Sequence, residues 1–562
     1  MNLKYIDFVK IYSSLEKTTS KLEKASIISK FLEKIQDDEE LKICTSLIEG
    51  RVFPKYKQIE LGVATQLMIK AISKSTGFST KEIEDLFREL GDLGSVAEHC
   101  IKNMKQKVFI KKSLSVKEVY YTMQKIGLSS GEGSQEKKLL SISYLLNNSQ
   151  PEEAKYIVRT ILEELRVGVA EGILIDAISE AFLKSREERN VVEFAWNILT
   201  DFSEVVVIAK NEGKNGLLNV KPVLGRPIQV MLGLAAESIE DVVNEYPNII
   251  CEFKYDGFRA QIHKDFDKIW IFSRRQEDVT NQFPDIVECC KKNIKANQCI
   301  VEGEIWAIDE DNKPLPFQKL SQRIHRKYEI EKMIKEIPVQ LNLFDIVFVD
   351  GKTLFNLPLK ERRNILFEIV REEERKIKIA ESIIPKTIDE IKNFYKKAKE
   401  LKQEGIMIKN LDAPYIFGRH VGGWYKIKET MESLDLVIIG ATWGEGARAR
   451  WLTSYLLACR DENTGKLLSC GMMSTGLTEE EYQMLTDILS KDIIKQSGRD
   501  VIVKPRIVIE VGYQEIQKSP NYESGYALRF PRFIRIRDDK SIEECDTLSR
   551  VDALFKSQGR KG

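Results

Sequence analysis

The sequence predicts a multidomain fold: an all-α N-terminal half, a central α+β domain and a small C-terminal β-barrel. Three observations predict it. At about 150 residues per domain, 562 residues call for three to four domains. The apolar spacing changes from three-and-four to two after a linker at residues 210–228. Beyond Lys428, short strand-like runs separated by turn residues fit a small barrel. With 43% apolar and 31% charged residues, large cores are possible and global disorder is excluded.

Residues 1–218 form the helical domain. Ile27, Phe31 and Ile35 share one helix face, as do Ile157, Ile161 and Leu165. The stretch Lys102, Lys105, Lys107, Lys111, Lys112, Lys117 contains no acid. It reads either as a solvated helix face or as a phosphate-contacting patch. Leu165 to Gly172 places glycines before an apolar helix, which leaves backbone N–H groups for a phosphate or simply makes an interhelical turn. Residues 210–228, rich in Gly, Asn, Lys and Pro, read as a linker. No internal repeat is expected.

Residues 219–428 form the second domain. Ile249 to Phe253, Ala260 to Lys264 and Ile269 to Ser273 alternate with period two, which predicts antiparallel sheet, and helical pieces are expected near 315–336 and 359–376. Residues 429–562 form the third domain. Strands at LDLVIIGAT, SYLLACRD and KLLSCGMMST, with turns between, make an OB-fold the leading candidate.

Eighty-seven basic and 86 acidic residues exclude a uniformly basic coat but not local basic patches. The nine cysteines include no Cys-x-x-Cys pair, and the four histidines lie far apart, so a His/Cys metal site is not expected. Buried, reduced thiols in a cytoplasmic protein are expected instead. The first residues lack an apolar signal core, and no run of about 18 apolar residues occurs, so no membrane span is expected.

The chemistry concentrates at Lys254-Tyr255-Asp256-Gly257-Phe258-Arg259, a strand end followed by a tight Asp-Gly turn. Lysine attacks only as the neutral amine, so a nucleophilic role asks for nearby cations and partial burial. Arg274, Lys409, Lys426 and Lys428 are such cations. Lys426 and Lys428 flank Ile427 in a strand pattern and so face one side, a repulsion that an intervening polyphosphate relieves. A chance Lys-x-Asp-Gly-x-Arg arises on the order of once per hundred chains, so the hexapeptide alone decides nothing. Gly351-Lys352-Thr353 lacks the glycine of a P-loop, which excludes that mode of ATP binding.

Further segments follow in order: Ser273-Arg274-Arg275 with Glu277-Asp278; Val301-Glu302-Gly303-Glu304; Leu343-Phe344-Asp345; Glu404 to Lys409; Trp424 to Lys428; and Arg529-Phe530-Pro531-Arg532-Phe533 before Arg537-Asp538-Asp539-Lys540. Together with Lys254 to Arg259 this set resembles the ATP-dependent DNA ligases of the covalent nucleotidyltransferase superfamily, most closely the archaeal replicative type, over essentially the whole chain. The resemblance implies an ATP-grasp-like nucleotidyltransferase domain that seals 5′-phosphate/3′-hydroxyl nicks in double-stranded DNA through a lysine–AMP intermediate, in replication, repair and recombination.

By that resemblance Lys254 is the nucleophile, Glu252 meets the adenine amino group and Phe344 stacks on the base. Arg259, Arg274 and Glu304 surround the ribose and phosphate, and Lys409, Lys426 and Lys428 hold the α-phosphate. Arg532 and Lys540 serve the pyrophosphate side, and Glu304 and Glu404 are hard oxygen donors for Mg²⁺. The family's usual pair of basic residues before the Trp-x-Lys-x-Lys strand is Arg419-His420 here; Arg419 is taken as the contact, since histidine is mostly neutral near pH 7.

The helical half, including Gly91 to Gly94 and the Arg166–Gly172 turn, then implies a DNA-binding domain that grips the backbone without base readout. The barrel implies closure around the duplex, with domain motion between steps. Gln106-Lys107-Val108-Phe109-Ile110 is similar to a sliding-clamp motif, although three consecutive apolar residues also suit a buried strand. A monomer associated with the nucleoid is expected. A capping guanylyltransferase or RNA ligase shares the lysine motif but lacks this helical half; a non-catalytic DNA scaffold would have lost Lys254; NAD as donor would call for a zinc site that the cysteine spacing does not offer.

Overall fold

The computed structural model describes residues 3–104, 112–236, 238–315, 317–324, 330–418, 422–428 and 432–557. It divides into two compact units, Met1–Phe394 with Met407–Lys426, and Tyr395–Ile406 with Ile427–Gly562. The first unit holds the helical half and most of the central domain.

Among the described residues the regular elements of the N-terminal half are all helices, as expected, and its core is a single cluster running from Tyr5 to Leu217. The expected linker is shorter than residues 210–228. A helix spans Phe202–Leu218, kinked at Gly213 (φ +61°), and buried Leu217 anchors its last turn in the core. Only the residues after it lack regular structure.

The structure also corrects the expectation of no repeat. Leu61-Gly62-Val63-Ala64-Thr65-Gln66-Leu67-Met68-Ile69-Lys70-Ala71-Ile72-Ser73 and Val167-Gly168-Val169-Ala170-Glu171-Gly172-Ile173-Leu174-Ile175-Asp176-Ala177-Ile178-Ser179 fold alike. Each is an extended loop with a left-handed glycine, Gly62 (φ +59°) or Gly168 (φ +65°), leading into a helix, Thr65–Thr76 or Glu171–Ile178. Each loop is pinned by a buried lysine from a neighbouring helix. Lys138 Nζ donates to the carbonyls of Leu61 (2.7 Å) and Gly62 (3.2 Å). Lys24 Nζ donates to those of Val167 (2.5 Å) and Gly168 (3.1 Å). Burial holds the Lys24 ammonium below its usual range. The duplication is legible in the sequence, where Gly-Val-Ala and Ala-Ile-Ser recur at the same spacing in both segments; only the pinning lysines, which lie on other helices, needed the structure.

The central domain is two sheets. A six-stranded sheet runs Lys268–Ser273, Phe258–Asp265, Gln298–Ala307, Val339–Val349 and Lys352–Thr353, with Ile377–Ile379 parallel to Val339–Val349. A five-stranded sheet orders Leu234–Ala235, Trp424–Lys428, Gly405–Asn410, Ile249–Lys254 and Ser382–Ile383. The expected antiparallel hairpin is Phe258–Asp265 with Lys268–Ser273. Ile249–Lys254 departs from the expectation by joining the other sheet. Six consecutive buried or half-buried positions, rather than strict alternation, reflect its burial on both faces.

The C-terminal unit contains a seven-stranded sheet. Leu467–Met473, Leu452–Arg460, Leu434–Trp443, Val508–Gly512 and Arg532–Ile536 pair in turn, and a bridge from Thr475 to Arg532 closes the ring. This is the small barrel expected from the strand spacing.

All nine cysteines are buried and free. Among the described residues no helix is long and apolar enough to cross a membrane.

His263 lies fully buried, its Nδ1 accepting from Gly225 N–H (3.3 Å) and its Nε2 facing Gln261 Oε1 (3.0 Å). Burial pushes its pKa down to about 3. The unfolded chain therefore binds a proton below about pH 6.5 that the folded chain refuses, and stability falls as pH drops from there toward about 3. Glu49 has the opposite sign: burial pushes it up to about 7, so the folded chain gains a proton first and stability rises as pH falls from about 7 to 4.5. Each full shift contributes about 1.4 kcal/mol per pH unit, with Glu49 the weaker because 25% of its side chain stays exposed. Between pH 6.5 and 4.5 (roughly) the two oppose each other. Urea midpoints should fall with acid in Glu49→Gln and rise in His263→Gln; parallel slopes in the two variants would contradict this.

Candidate active site

Lys254 ends the strand Ile249–Lys254, and the next three residues carry the chain from one central sheet into the other. Tyr255 locks the exit: its ring is buried against Phe253 and Trp306, and its hydroxyl accepts from Glu381 N–H (3.1 Å). Gly257 is required by a close approach. A Cβ there would lie 2.6 Å from the Ile305 carbonyl oxygen and 2.8 Å from Glu304 Cγ. The half-buried Lys254 is thus delivered beside the strand that carries Glu304.

Arg259 is the second residue of the returning strand, opposite Glu304 in register. Its guanidinium donates to Glu302 (2.9 Å) and to the Met231 carbonyl (2.7 Å). Glu302, fully buried, also accepts from Tyr415 Oη (2.9 Å), which itself accepts from Met231 N–H (2.9 Å). Burial works against the charge of Arg259, but the Glu302 carboxylate outweighs it and the pKa stays above its usual value.

Glu252 lies two residues before Lys254 and is 2% exposed. One carboxylate oxygen is paired with Arg363 and the other with Lys409 Nζ at 2.5 Å. The Lys409 ammonium sits 4.4 Å from the ring centre of Phe344 and 4.1 Å from that of Trp424. Phe344 and Trp424 meet edge to face at 5.9 Å. Burial pushes the Lys409 pKa down, and the charge of Glu252 only partly restores it. Asp345, beside Phe344, is bound through both oxygens by Arg362 (2.8 and 2.9 Å), and both side chains are fully buried.

The arrangement combines an amine at a strand end, a carboxylate aimed by two cations, an aromatic ring and a clustered set of basic residues. Three family models match the chain in order. "DNA ligase N terminus" covers residues 4–179, "ATP dependent DNA ligase domain" covers 230–428, and "ATP dependent DNA ligase C terminal region" covers 448–540. A DNA ligase of Nanoarchaeum equitans is 47% identical over 98% of this chain and 97% of that relative. The chain belongs to the ATP-dependent DNA ligases.

A DNA ligase of Thermococcus onnurineus is 46% identical over 100% of this ligase and 99% of that relative. The solved structure "Pmar-Lig_Pre." shares the fold, with a TM-score of 0.59 at 17% identity, covering 94% of this chain and 99% of that one. The ligase takes ATP as its AMP donor and shares the family's Mg²⁺ requirement.

Within its first unit the ligase brings together Glu252, Lys254, Arg259, Glu304, Phe344, Lys409 and Lys426. Lys426 lies on the strand Trp424–Lys428, paired with Ala235. Arg274 is exposed in the tight turn after Ser273, whose hydroxyl accepts from the N–H groups of Arg275 and Glu277 (3.1 Å each). Glu404, Lys428 and the exposed Arg532 belong to the second unit. Lys428 ends its strand, and its side chain, like Arg419, His420 and the Gln106–Ile110 segment, lies outside the described residues. Lys540 is held by Asp435 (2.6 Å), which also binds Arg537.

Of the lysine-rich stretch, Lys112 pairs with Glu118 (2.7 Å) and Lys117 with Asp37 (3.1 Å), the solvated-face alternative. The Gly91–Gly94 segment has a packing role. Asp92 caps the helix Leu93–Lys102 and binds Arg159 (2.7 Å), and a Cβ on Gly94 would meet the Lys155 carbonyl at 2.7 Å.

Sequence reasoning missed Arg362, Arg363 and Tyr415, and named Trp424 only as the start of a motif, without a role. A signal for the arginines existed. In the helix Leu359–Ile369, Leu359, Arg362, Arg363 and Leu366 occupy the i, i+3, i+4, i+7 positions of the buried stripe, where an unpaired charge is costly.

Proposed function

We propose that the ligase seals nicks through three phosphoryl transfers with Lys254 as the nucleophile. Lys254 Nζ attacks the α-phosphorus of ATP, the bond to pyrophosphate breaks, and the amine loses its proton to leave AMP on nitrogen. The 5′-phosphate of the nick then takes AMP from Lys254. The 3′-hydroxyl attacks that phosphate, and AMP leaves as the phosphodiester forms. The observation that carries the reading is the delivery of Lys254, over the Gly257 cradle, into one unit with Glu252, Phe344 and Arg259.

In this reading Glu252 accepts from the adenine amino group and Phe344 stacks on the base. Arg259, Arg274 and Glu304 contact the ribose and phosphate. Lys426 and Lys428 hold the α-phosphate, and Arg419 and Arg532 approach the nucleotide from their own segments. Lys409 is assigned to the base end, because its partners are Glu252, Phe344 and Trp424. Among the described residues no group of three His, Cys, Asp or Glu side chains could hold a metal ion. Mg²⁺ is bound through one or two carboxylates and otherwise by phosphate and water, and Glu304, in the first unit, and Glu404, in the second, are each hard oxygen donors of that kind. When bound, it neutralises charge on the phosphates.

The domain limits 1–218, 219–428 and 429–562 fit the end of the Phe202–Leu218 helix and the matched family regions. The helical domain grips nicked duplex DNA, and the exposed helix starts that follow the two duplicated loops, at 64–66 and 170–171, suit contact with the DNA backbone. The setting proposed for it is replication, repair and recombination in the cytoplasm, as a monomer on the nucleoid; the likeness to archaeal DNA ligases supports the replication and repair part of that reading.

The test is incubation with α-labelled ATP, GTP and NAD followed by a denaturing gel. A covalent adduct from ATP and little from the others is expected; equal labelling by GTP, or labelling by NAD alone, would defeat the reading.

Gln106–Ile110 is proposed to dock on a sliding clamp, burying Phe109 for roughly 2 kcal/mol. Phe109→Ala should then weaken clamp binding more than tenfold in calorimetry with an unchanged melting temperature. A lowered melting temperature would instead make the segment part of a core.

A further inference from the structure

We infer that Arg363 is a positioning residue that sets the choice of adenine over guanine, by holding Glu252 as a fixed hydrogen-bond acceptor. The inference rests on the proposed contact between Glu252 and the adenine amino group.

Glu252 has no freedom in this structure. Arg363 Nη1 binds one oxygen and Lys409 Nζ the other, and the three side chains are buried at 4%, 2% and 2% exposure for Arg363, Lys409 and Glu252. Arg363 is itself held. Its Nη2 donates to Ser382 Oγ (3.2 Å), and Nη1 lies 3.5 Å from the Phe344 carbonyl. Ser382 is the register partner of Glu252 across the sheet. One guanidinium therefore ties together the strand of Glu252, the strand of Ser382 and the backbone of Phe344, the proposed stacking residue.

The two cations on Glu252 differ in kind. Lys409 is a single-point donor on a flexible stem, set between the Phe344 and Trp424 rings. Arg363 is a planar fork braced by three partners, so it fixes where the carboxylate points. A carboxylate held this way presents acceptor lone pairs only. Adenine offers a donor amino group at the six position, whereas guanine offers a carbonyl oxygen there, and two acceptors facing each other are repulsive. Discrimination by a mismatched buried polar group is far larger than discrimination by shape. Without Arg363 the carboxylate is free to rotate toward Lys409 and no longer holds a fixed acceptor against the six position of the base.

The experiment is self-labelling with α-labelled ATP and GTP, with KM and the saturated rate measured separately, in Arg363→Met, Arg363→Lys and Glu252→Gln. Arg363→Met should raise the KM for ATP about tenfold and lower the ATP-over-GTP ratio at least tenfold, with a small change in the saturated rate. Arg363→Lys should recover part of the ratio. A merely structural role would lower the amount of active enzyme, and so the rate, for both nucleotides alike and leave the ratio unmoved.

If Arg363→Met fails to fold by circular dichroism, Arg363→Gln, which keeps polar donors on a shorter stem, gives the same reading. A folded variant at Arg363 with an unchanged ratio overturns the inference. If Glu252→Gln loses the preference while the Arg363 variants keep it, Glu252 reads the base and only the role of Arg363 fails. If Glu252→Gln keeps the preference, the underlying contact fails, and the inference falls with it.

Discussion

Lys254→Ala is expected to abolish covalent labelling by ATP, a loss of roughly 10³-fold or more, because no other amine stands at the strand end that the Gly257 turn delivers. The fold should survive. Lys254 is half-buried at the end of its strand, and the tertiary anchors of the segment are Tyr255 and Gly257. The same variant should still close a nick that already carries AMP on its 5′-phosphate, since the last transfer needs no lysine adduct. Labelling at the wild-type rate would remove Lys254 from the chemistry. Failure on the pre-adenylylated nick, in a protein that still binds it, would place Lys254 in the final step as well.

The second large effect is on stability. Arg362→Met is expected to destabilise the first unit by about 3–5 kcal/mol, because it strands Asp345 as an unpaired buried charge. Arg362 also donates to the carbonyls of Leu357 (2.6 Å) and Ala413 (3.2 Å), so the loop 411–415 loses its brace. That loop carries Tyr415, the partner of Glu302. Asp345→Asn together with Arg362→Met removes both charges and should recover part of the loss. Urea unfolding of the full chain, followed by the tryptophans of the central domain, measures both. A double variant no more stable than Arg362→Met would show that the carbonyl contacts, rather than the ion pair, carry the effect.

Much of this ligase is legible in its residue pattern. The helical half, the hairpin at 258–273 and the strands of the barrel follow from apolar spacing, which burial on one face imposes directly. The lysine strand and its Asp-Gly turn are equally readable, because turn chemistry is local. Membership in a ligase family is readable from the order of the motifs. Lys409 shows where this stops. Its place in the sequence groups it with Lys426 and Lys428, but its side chain is buried against Glu252, Phe344 and Trp424.

By itself the sequence determined the helical and strand-rich segments, the strand-end position of Lys254 and the family, all of which depend on local periodicity or on residues in fixed order. The tertiary structure alone decided which charges meet. Arg363 and Glu252 are 111 residues apart in the chain, Arg362 and Asp345 are 17 apart on a helix and a strand, and Lys24 and Lys138 reach loops 143 and 77 residues away. Such pairings leave no periodic trace, since a buried ion pair is selected by desolvation and geometry at one point in space. What a sequence can signal is the anomaly that demands a partner: a charge at a position in the apolar stripe, as at Arg362 and Arg363 in the helix Leu359–Ile369. It cannot say which carboxylate answers, because that depends on how two sheets and a helix pack.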